Sequence, residues 1–358
     1  MKMYSSRTVN SECVNSQNPF GFHLSDGAIY NYLTGDEYMD TFGAWNWELI
    51  PGITVDMFGT PLSCNRVKRK GKKEFVGGAT DDNIGIAVMD YMNPIHGNLA
   101  FKKTAFFFPS GYAIQVGLTH SRNKTAPLVT VLDQRRRNGN IYISGRLRNT
   151  NSMYESKATS SIWHDNMGYY FPNAETIYVN SKPRAADWAS IGISRGNEMH
   201  QLWTSYIKHS NTLTNNRLLT QYVVQPGISL DEFNEKIHNN KGSNKIPIQL
   251  DFKESSSYIH AAYSAADKTI AIAFWAPGNY SSSWWGKSLI IESTKPCVLL
   301  FRKLGSNKYR ITIADPSQTL LDLNLSFTMA GGTRLIKIKF PTGNNAGKGV
   351  VVETIMCF

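Results

Sequence analysis

The stretch VNSECVNSQN, residues 9–18, places one carboxylate, Glu12, among the amide side chains of Asn10, Asn15, Gln17 and Asn18. A polar cluster this close to a chain end is ordinarily a frayed tail. Here an aromatic, strand-like run follows at once, PFGFHLSDGAIYNYLTGDEYMD. The cluster is therefore either a tail or one half of a working site whose other groups lie elsewhere. A second oxygen-rich stretch is WNWELIPGITVD, residues 45–56. It sets Asn46 and Glu48 on one side of an extended segment, with Asp56 after a Pro-Gly turn. Three oxygen side chains around a turn suit a hard cation such as calcium. The same residues also make a polar turn between aromatic anchors.

Basic residues concentrate in RVKRKGKK (66–73) and DQRRRNG (133–139), and the chain carries a net charge of +11. Such a field attracts polyanions: nucleic acid, anionic lipid or acidic polysaccharide. Both clusters read as solvated loop tips, the second through Asn138-Gly139, a pair favoured in type I′ hairpin turns. No zinc-finger spacing, RNA-recognition motif or helix-turn-helix pattern is present, which argues against nucleic acid. No apolar run approaches membrane-spanning length, which argues against a membrane span. The eight histidines lack metal-binding spacing. The four cysteines, Cys13, Cys64, Cys297 and Cys357, form no C-x-x-C pair. GISRG (192–196) matches a nucleophile elbow around Ser194, but that motif needs a strand before it and a helix after it. No alternating β/α pattern surrounds it.

The elements that must position these groups are strands. KTIAIAFWAPG alternates Ile270, Ile272 and Phe274; RLIKIKF sets Ile336, Ile338 and Phe340 against Lys337 and Lys339. CVLLFRKLGSNKYRITIADP reads as a hairpin through Gly305-Ser306-Asn307. The best helix signal is PGISLDEFNEKIHN, where Ser229 and Glu232 make a capping box. At 358 residues two domains are expected. The polar run 238–257 reads as a linker, dividing residues 1–255 from 256–358. The fold class is all-β, with antiparallel sheets. The start, MKMYSSRTVN, has no apolar signal-peptide core.

Several stretches, in one order, resemble polysaccharide lyase family eight, which includes hyaluronate, chondroitin and xanthan lyases. They are GFHLSDGAIYNYLTGDEYMDTFGAWNWELIPGITVD, FVGGATDDNIGIAVMDY, KTAFFFPSGYAIQVGLTH, VTVLDQR, WHDNMGYYFP and YVVQPGISLDEF. The resemblance implies a large central antiparallel β-sandwich domain, entered late, and a smaller C-terminal β-sandwich. The family's N-terminal helical toroid is expected to be absent from this sequence. Arg7, Glu12, Asn15, Asn18 and Gly21 match the family pattern R…E-x-x-N-x-E-N…G, with Gln17 in place of a Glu.

By resemblance, Glu12 belongs to the catalytic set and orients an arginine and a histidine. Asn15 lines the substrate cleft, and Arg7 and Asn18 contact substrate. Arg135 and Arg136 are expected to add substrate contacts from the basic loop. The implied reaction is β-elimination on uronate-containing chains and requires no cofactor; a structural calcium is the reading of Asn46, Glu48 and Asp56 given above, not of the resemblance. The proton-transferring tyrosine and histidine and the charge-stabilising asparagine lie on the toroid. Implied partners are an acidic polysaccharide and a toroid domain; the implied location is extracellular or periplasmic. The rival expectation is a non-catalytic protein that binds acidic carbohydrate.

Overall fold

The computed structural model describes residues 1–11, 19–63, 68–149, 151–209, 218–239, 245–253, 258–283 and 285–356. Alternating apolar side chains build antiparallel strands almost throughout, with one α-helix among these residues, Leu230–Asn239. That helix starts at the expected capping box. Glu232 N–H donates to Ser229 Oγ (3.3 Å), and the Glu232 carboxylate accepts from the Ser229 N–H (3.2 Å) and hydroxyl (2.7 Å).

Among the described residues, thirteen strands form the large sheet. Its main path runs Thr54–Asp56, Leu128–Arg136, Asn197–Lys208, Met167–Asn180, Leu218–Pro226, Gly111–Ser121, Leu99–Phe108, Ile84–Met92, Val76–Asp81. Side chains from both ends of this path, Phe101 and Val116 with Leu132 and Trp203, share one core, so the sheet curls over its own apolar face. The opposite face is covered in two places. Residues 28–55 pack Trp45, Leu49, Ile50 and Ile53 on Val129, Val131 and Leu202. The C-terminal unit covers the meander 76–121.

The C-terminal unit is a sandwich of a six-stranded and a four-stranded sheet. The strand Thr269–Phe274 shows why it fits its neighbour. Ile270, Ile272 and Phe274 enter the sandwich's own core, while Ala271 and Ala273 face the central domain. Period-two alternation thus separates two cores. Small alanines let the sheets approach, and Val88, Phe106, Phe108 and Val223 pack there with Trp275, Val298 and Leu300. Polar ties flank this seam: Thr104 Oγ1 to His260 Nδ1 (2.8 Å), Gln115 Nε2 to the Asp251 carbonyl (2.8 Å), and Arg310 to Asp81 (3.0 Å). The hairpin through Gly305–Asn307 forms as expected, joining Cys297–Lys303 to Lys308–Ala314.

Two expectations need correction. The strand Ile248–Lys253 lies inside the stretch read as a linker, yet it pairs with Ile259–Ser264 at the edge of the C-terminal sheet. Buried Ile246 and Ile248 belong to the seam between the domains, so the second half of the stretch read as a linker packs with the C-terminal unit. Asn138-Gly139 is not a type I′ hairpin turn. Gly139 has φ +74° but Asn138 is not in the left-handed region, and Ile141–Ile143 pairs with the strands 146–147 and 153–164 instead.

Candidate functional site

Glu12, Asn15 and Asn18, the centre of the site read from sequence, lie outside the described residues, as does Gln17. Their flanks are well defined. Residues 5–11 run beside residues 68–73 through a ladder of backbone hydrogen bonds. Ser6 N–H meets the Lys73 carbonyl (2.9 Å), Asn10 N–H the Arg69 carbonyl (2.9 Å), and Lys68 N–H the Ser11 carbonyl (2.9 Å). The buried Asn10 side chain ties this ladder to the chain beyond the cluster. Its Nδ2 donates to the Phe22 carbonyl (3.1 Å) and its Oδ1 accepts from Arg69 N–H (2.9 Å). The approach to Glu12 and the departure from Asn18 are thus held to one another and to the basic segment. Lys68, Arg69, Lys70 and Lys72 of that segment are exposed, so the basic segment reaches solvent beside residues 5–11.

Beneath this region lies a buried dyad. His23 Nδ1 and Asp26 Oδ2 are 2.6 Å apart, and the Tyr91 hydroxyl donates to the same oxygen (3.1 Å). Burial alone would lower the His23 pKa; the Asp26 hydrogen bond and neighbouring carboxylates outweigh it and raise the pKa. Lys103 is fully buried nearby, its ammonium donating to the Gly27 (2.8 Å) and Gly52 carbonyls. Burial lowers its pKa to about 7 from 10.5.

This group has a definite linkage sign. Between pH 7 and 10.5 the unfolded chain holds a proton on Lys103 that the folded chain has given up, so folding strengthens as pH rises through this window. Comparing wild type with Lys103→Met by urea unfolding at pH 7, 8 and 9 should show an extra slope in wild type. The slope should approach about 1.4 kcal/mol per pH unit, the value for one proton. Parallel profiles would exclude the assignment.

Arg7 is placed differently from expectation. Its Nη1 donates to the Glu74 (3.1 Å) and Ser317 (2.9 Å) carbonyls, its Nη2 to those of Val76 (3.2 Å) and Pro316 (3.0 Å). The guanidinium braces the central domain against the C-terminal one, and those donors are committed to backbone.

Arg135 is also no loop-tip residue: its side chain is 0% exposed. The strand Leu128–Arg136 carries an extra residue, Leu132, where the ladder with Asn197–Lys208 shifts register. A bulge of this kind re-aims the side chains beyond it. Gln134 then reaches the Asn46 and Leu49 carbonyls, and Arg135 lies over the Tyr38 ring, its Nη2 donating to the Asn31 carbonyl (2.8 Å). Its charge faces Glu37 (3.6 Å) and Asp133 (3.7 Å). Burial tends to raise the Glu37 pKa, but backbone N–H groups of residues 33, 34, 35 and 37 prevail and hold it down to about 2. Arg136 does reach solvent, 3.4 Å from the exposed Asp36.

The oxygen set near residue 50 is partly assembled. Asn46 Oδ1 accepts from Glu48 N–H (3.1 Å), and Glu48 Oε2 accepts from Phe58 N–H (3.1 Å). Glu48 and Asp56 are both buried, which raises both pKa values; the charge on His23 opposes the rise in each, while Asp56 adds to that of Glu48 and Asp26 to that of Asp56. Among the described residues no three His, Cys, Asp or Glu side chains come together as a metal-binding group. Ser194 sits in the connection between the antiparallel strands 183–187 and 197–208, with no helix after it, so it is not at a nucleophile elbow.

Sequence reasoning passed over one feature. Tyr30, Tyr32, Phe42, Trp45 and Trp47 line an open cavity of about 420 Å³. Their signal was present in the spacing YNY…FGAWNW, but aromatic alternation of this kind also marks an ordinary β core.

Comparison with known proteins fits this architecture. The model of the polysaccharide lyase family 8 super-sandwich domain matches residues 1–237, and that of the family's C-terminal β-sandwich domain matches residues 254–324. Chondroitinase-AC of Pedobacter heparinus is 28% identical over 365 residues, covering 99% of this chain and 49% of that protein. Hyaluronate lyase HylB of Enterococcus faecalis is 27% identical over 391 residues, covering 98% of this chain and 37% of that protein. A solved chondroitinase AC lyase, studied in oligosaccharide complexes, superimposes with a TM-score of 0.84 at 27% identity over 98% of this chain and 50% of its own. This chain therefore spans half or less of the length of these relatives. With both of its β domains matched in order, the chain belongs to polysaccharide lyase family 8.

Proposed function

We propose that this chain supplies the β-sheet part of a lyase that cleaves acidic polysaccharide, such as a glycosaminoglycan, by β-elimination. The observation that supports it most is the ladder laying the exposed Lys68, Arg69, Lys70 and Lys72 against the segment that leads into Glu12. An exposed cationic segment paired with the chain that leads into Glu12 suits a polyanionic ligand. Glu12 orients a catalytic arginine and histidine, and Asn15 lines the cleft. A helical toroid partner supplies the proton-transferring tyrosine and the groups that stabilise charge beside the uronate carboxylate. The working location is extracellular or periplasmic. Glu48 and Asp56 are the acidic part of a structural calcium site in this reading, since Asp56 keeps a buried carboxylate oxygen without a hydrogen-bond partner. Calcium addition should then raise the unfolding midpoint of wild type but not of Asp56→Asn.

The test of the main reading has two arms. These 358 residues alone, on hyaluronan or chondroitin, should produce no steady rise in the ultraviolet absorbance of unsaturated uronate, because the proton-transferring groups are assigned to the toroid. Joined to the half of chondroitinase-AC that they do not match, they should produce that rise. Glu12→Ala in the joined protein should then cost on the order of a hundredfold in turnover, the effect of mis-setting a catalytic group by about 1 Å. Glu12→Gln should fall between, and unfolding midpoints should stay nearly equal. Full activity in Glu12→Ala would reduce the segment to a linker. Binding of acidic glycan without any turnover in the joined protein would favour the non-catalytic binding protein instead.

A further inference from the structure

Asn138 and Gly139 lie just past the strand Leu128–Arg136, outside any strand, and both are exposed. An asparagine followed by glycine can close on itself. The backbone nitrogen of the glycine attacks the side-chain amide carbon, and a residue without a Cβ shields that nitrogen least. Three features of the fold leave this pair open to the reaction. Gly139 has φ +74°, and apart from its chain neighbours nothing stands within 4 Å of where its Cβ would be. Among the described residues no acceptor meets the Gly139 N–H, whereas the Arg137 N–H donates to the Gln201 carbonyl (2.9 Å). Asn138 Nδ2 donates to Asp165 Oδ1 (2.8 Å), which holds the amide at the exposed surface of the loop.

A chemically related pair, Asp26-Gly27, shows what the fold can do against such closure. Asp26 is buried, and its Oδ2 is held by His23 and by the Tyr91 hydroxyl. The Gly27 N–H donates to the Lys2 carbonyl (3.0 Å), so the attacking nitrogen is committed. Water has no access to the side-chain carbon there. The two pairs share a glycine at positive φ and differ in burial and in hydrogen bonding.

We propose that Asn138 is a site of spontaneous covalent modification, converting to aspartate and isoaspartate through a cyclic imide with Gly139. The Gly139 nitrogen gives its proton to solvent base and bonds to Asn138 Cγ. The Cγ–Nδ2 bond breaks, and Nδ2 takes a proton from water and leaves as ammonia. Water then opens the imide at either carbonyl. One water enters, one ammonia leaves, and nothing is oxidised or reduced. The product places a carboxylate where an amide donor met Asp165 Oδ1 at 2.8 Å. Two carboxylates at that distance repel, so the loop leaves Asp165 or one of the two takes up a proton. Asn138 lines a cavity of about 210 Å³ with Asp36, Glu37, Asp165, Arg136 and Arg137, and the change adds a fourth carboxylate to it. The isoaspartate form also lengthens the backbone between Arg137 and Gly139. This site stands apart from the lyase reading and does not depend on it.

The experiment is incubation of the purified, folded chain in warm, mildly alkaline buffer. Peptide mapping by mass spectrometry and methyl labelling by an isoaspartate methyltransferase then follow the product. The peptide holding residue 138 should exchange its amide for an acid ahead of those holding the other asparagines, and it should accept the methyl label. Asn138→Gln, which needs a larger ring, and Gly139→Ala, whose Cβ crowds the nitrogen, should each stop the conversion. Asn138→Asp should lower the unfolding midpoint, and adding Asp165→Asn should recover it, because the two positions touch. An amide that stays intact in the folded chain, while the same chain unfolded in urea converts, would overturn the proposal, since the fold would then protect the pair. Conversion spread evenly over the asparagines of the folded chain would overturn it too. An unchanged midpoint in Asn138→Asp would overturn the repulsion at Asp165.

Discussion

Arg135→Met is expected to lower the free energy of unfolding by about 3–5 kcal/mol, the usual cost of breaking a buried ion pair by removing one partner. Asp133 and Glu37 would then keep buried or half-committed carboxylates with no cation between them. The Asp133 pKa is raised by burial even with Arg135 opposing. Without that opposition the carboxyl should be protonated at higher pH, leaving a neutral acid on Tyr38 and Tyr169. Urea unfolding checks the size of the effect, and Arg136→Met is the control. Arg136 is half-exposed and its pair with Asp36 lies at the surface, so its loss should stay within about 0.5 kcal/mol. The double variant Arg135→Met/Asp133→Asn should recover part of the loss, because the orphaned charge is gone. Equal midpoints for the Arg135 and Arg136 variants would show that the interior pair does not hold this end of the sheet.

Removal of the C-terminal unit should be still more damaging. A chain ending at Lys245 exposes the face carrying Val88, Phe106, Phe108 and Val223. Each fully buried side chain of this size contributes about 1.5–3 kcal/mol. Four of them are comparable with the whole margin of a folded domain, about 5–15 kcal/mol. The truncated chain should aggregate and lose its cooperative melting transition, read by size-exclusion chromatography and circular dichroism. A soluble monomer with an unchanged midpoint would show that the central sheet stands alone.

These two cases also show what a sequence can and cannot disclose. Strands such as Thr269–Phe274 and the capping box at Ser229 depend on neighbours a few residues away, so local spacing reveals them. The burial of Arg135 depends on one extra residue at Leu132 and on Glu37 and Asn31, roughly a hundred positions distant. No local pattern encodes that meeting. Lys103 stands in an alternating run among phenylalanines, and its partners are backbone carbonyls, which leave no mark in a sequence. The strand Ile248–Lys253 was hidden by its polar surroundings: an edge strand needs only one apolar face, and here Ile248 supplies much of it. The resemblance to the family identified the order of the domains but could not show that Arg7 turns to backbone.

That use of Arg7 bears on how such proteins can be recombined. One side chain, five positions before Glu12, holds carbonyls at Glu74, Val76, Pro316 and Ser317. The two β domains look modular on a linear map, yet a strap that joins them lies near residue 7, far in sequence from the stretch between the domains. A chimera that imports the C-terminal sandwich of a relative must also present two carbonyls to Arg7 at the right height. If it does not, the fault surfaces at the segment leading to Glu12, far from the graft, and a folding readout on the grafted domain alone would miss it.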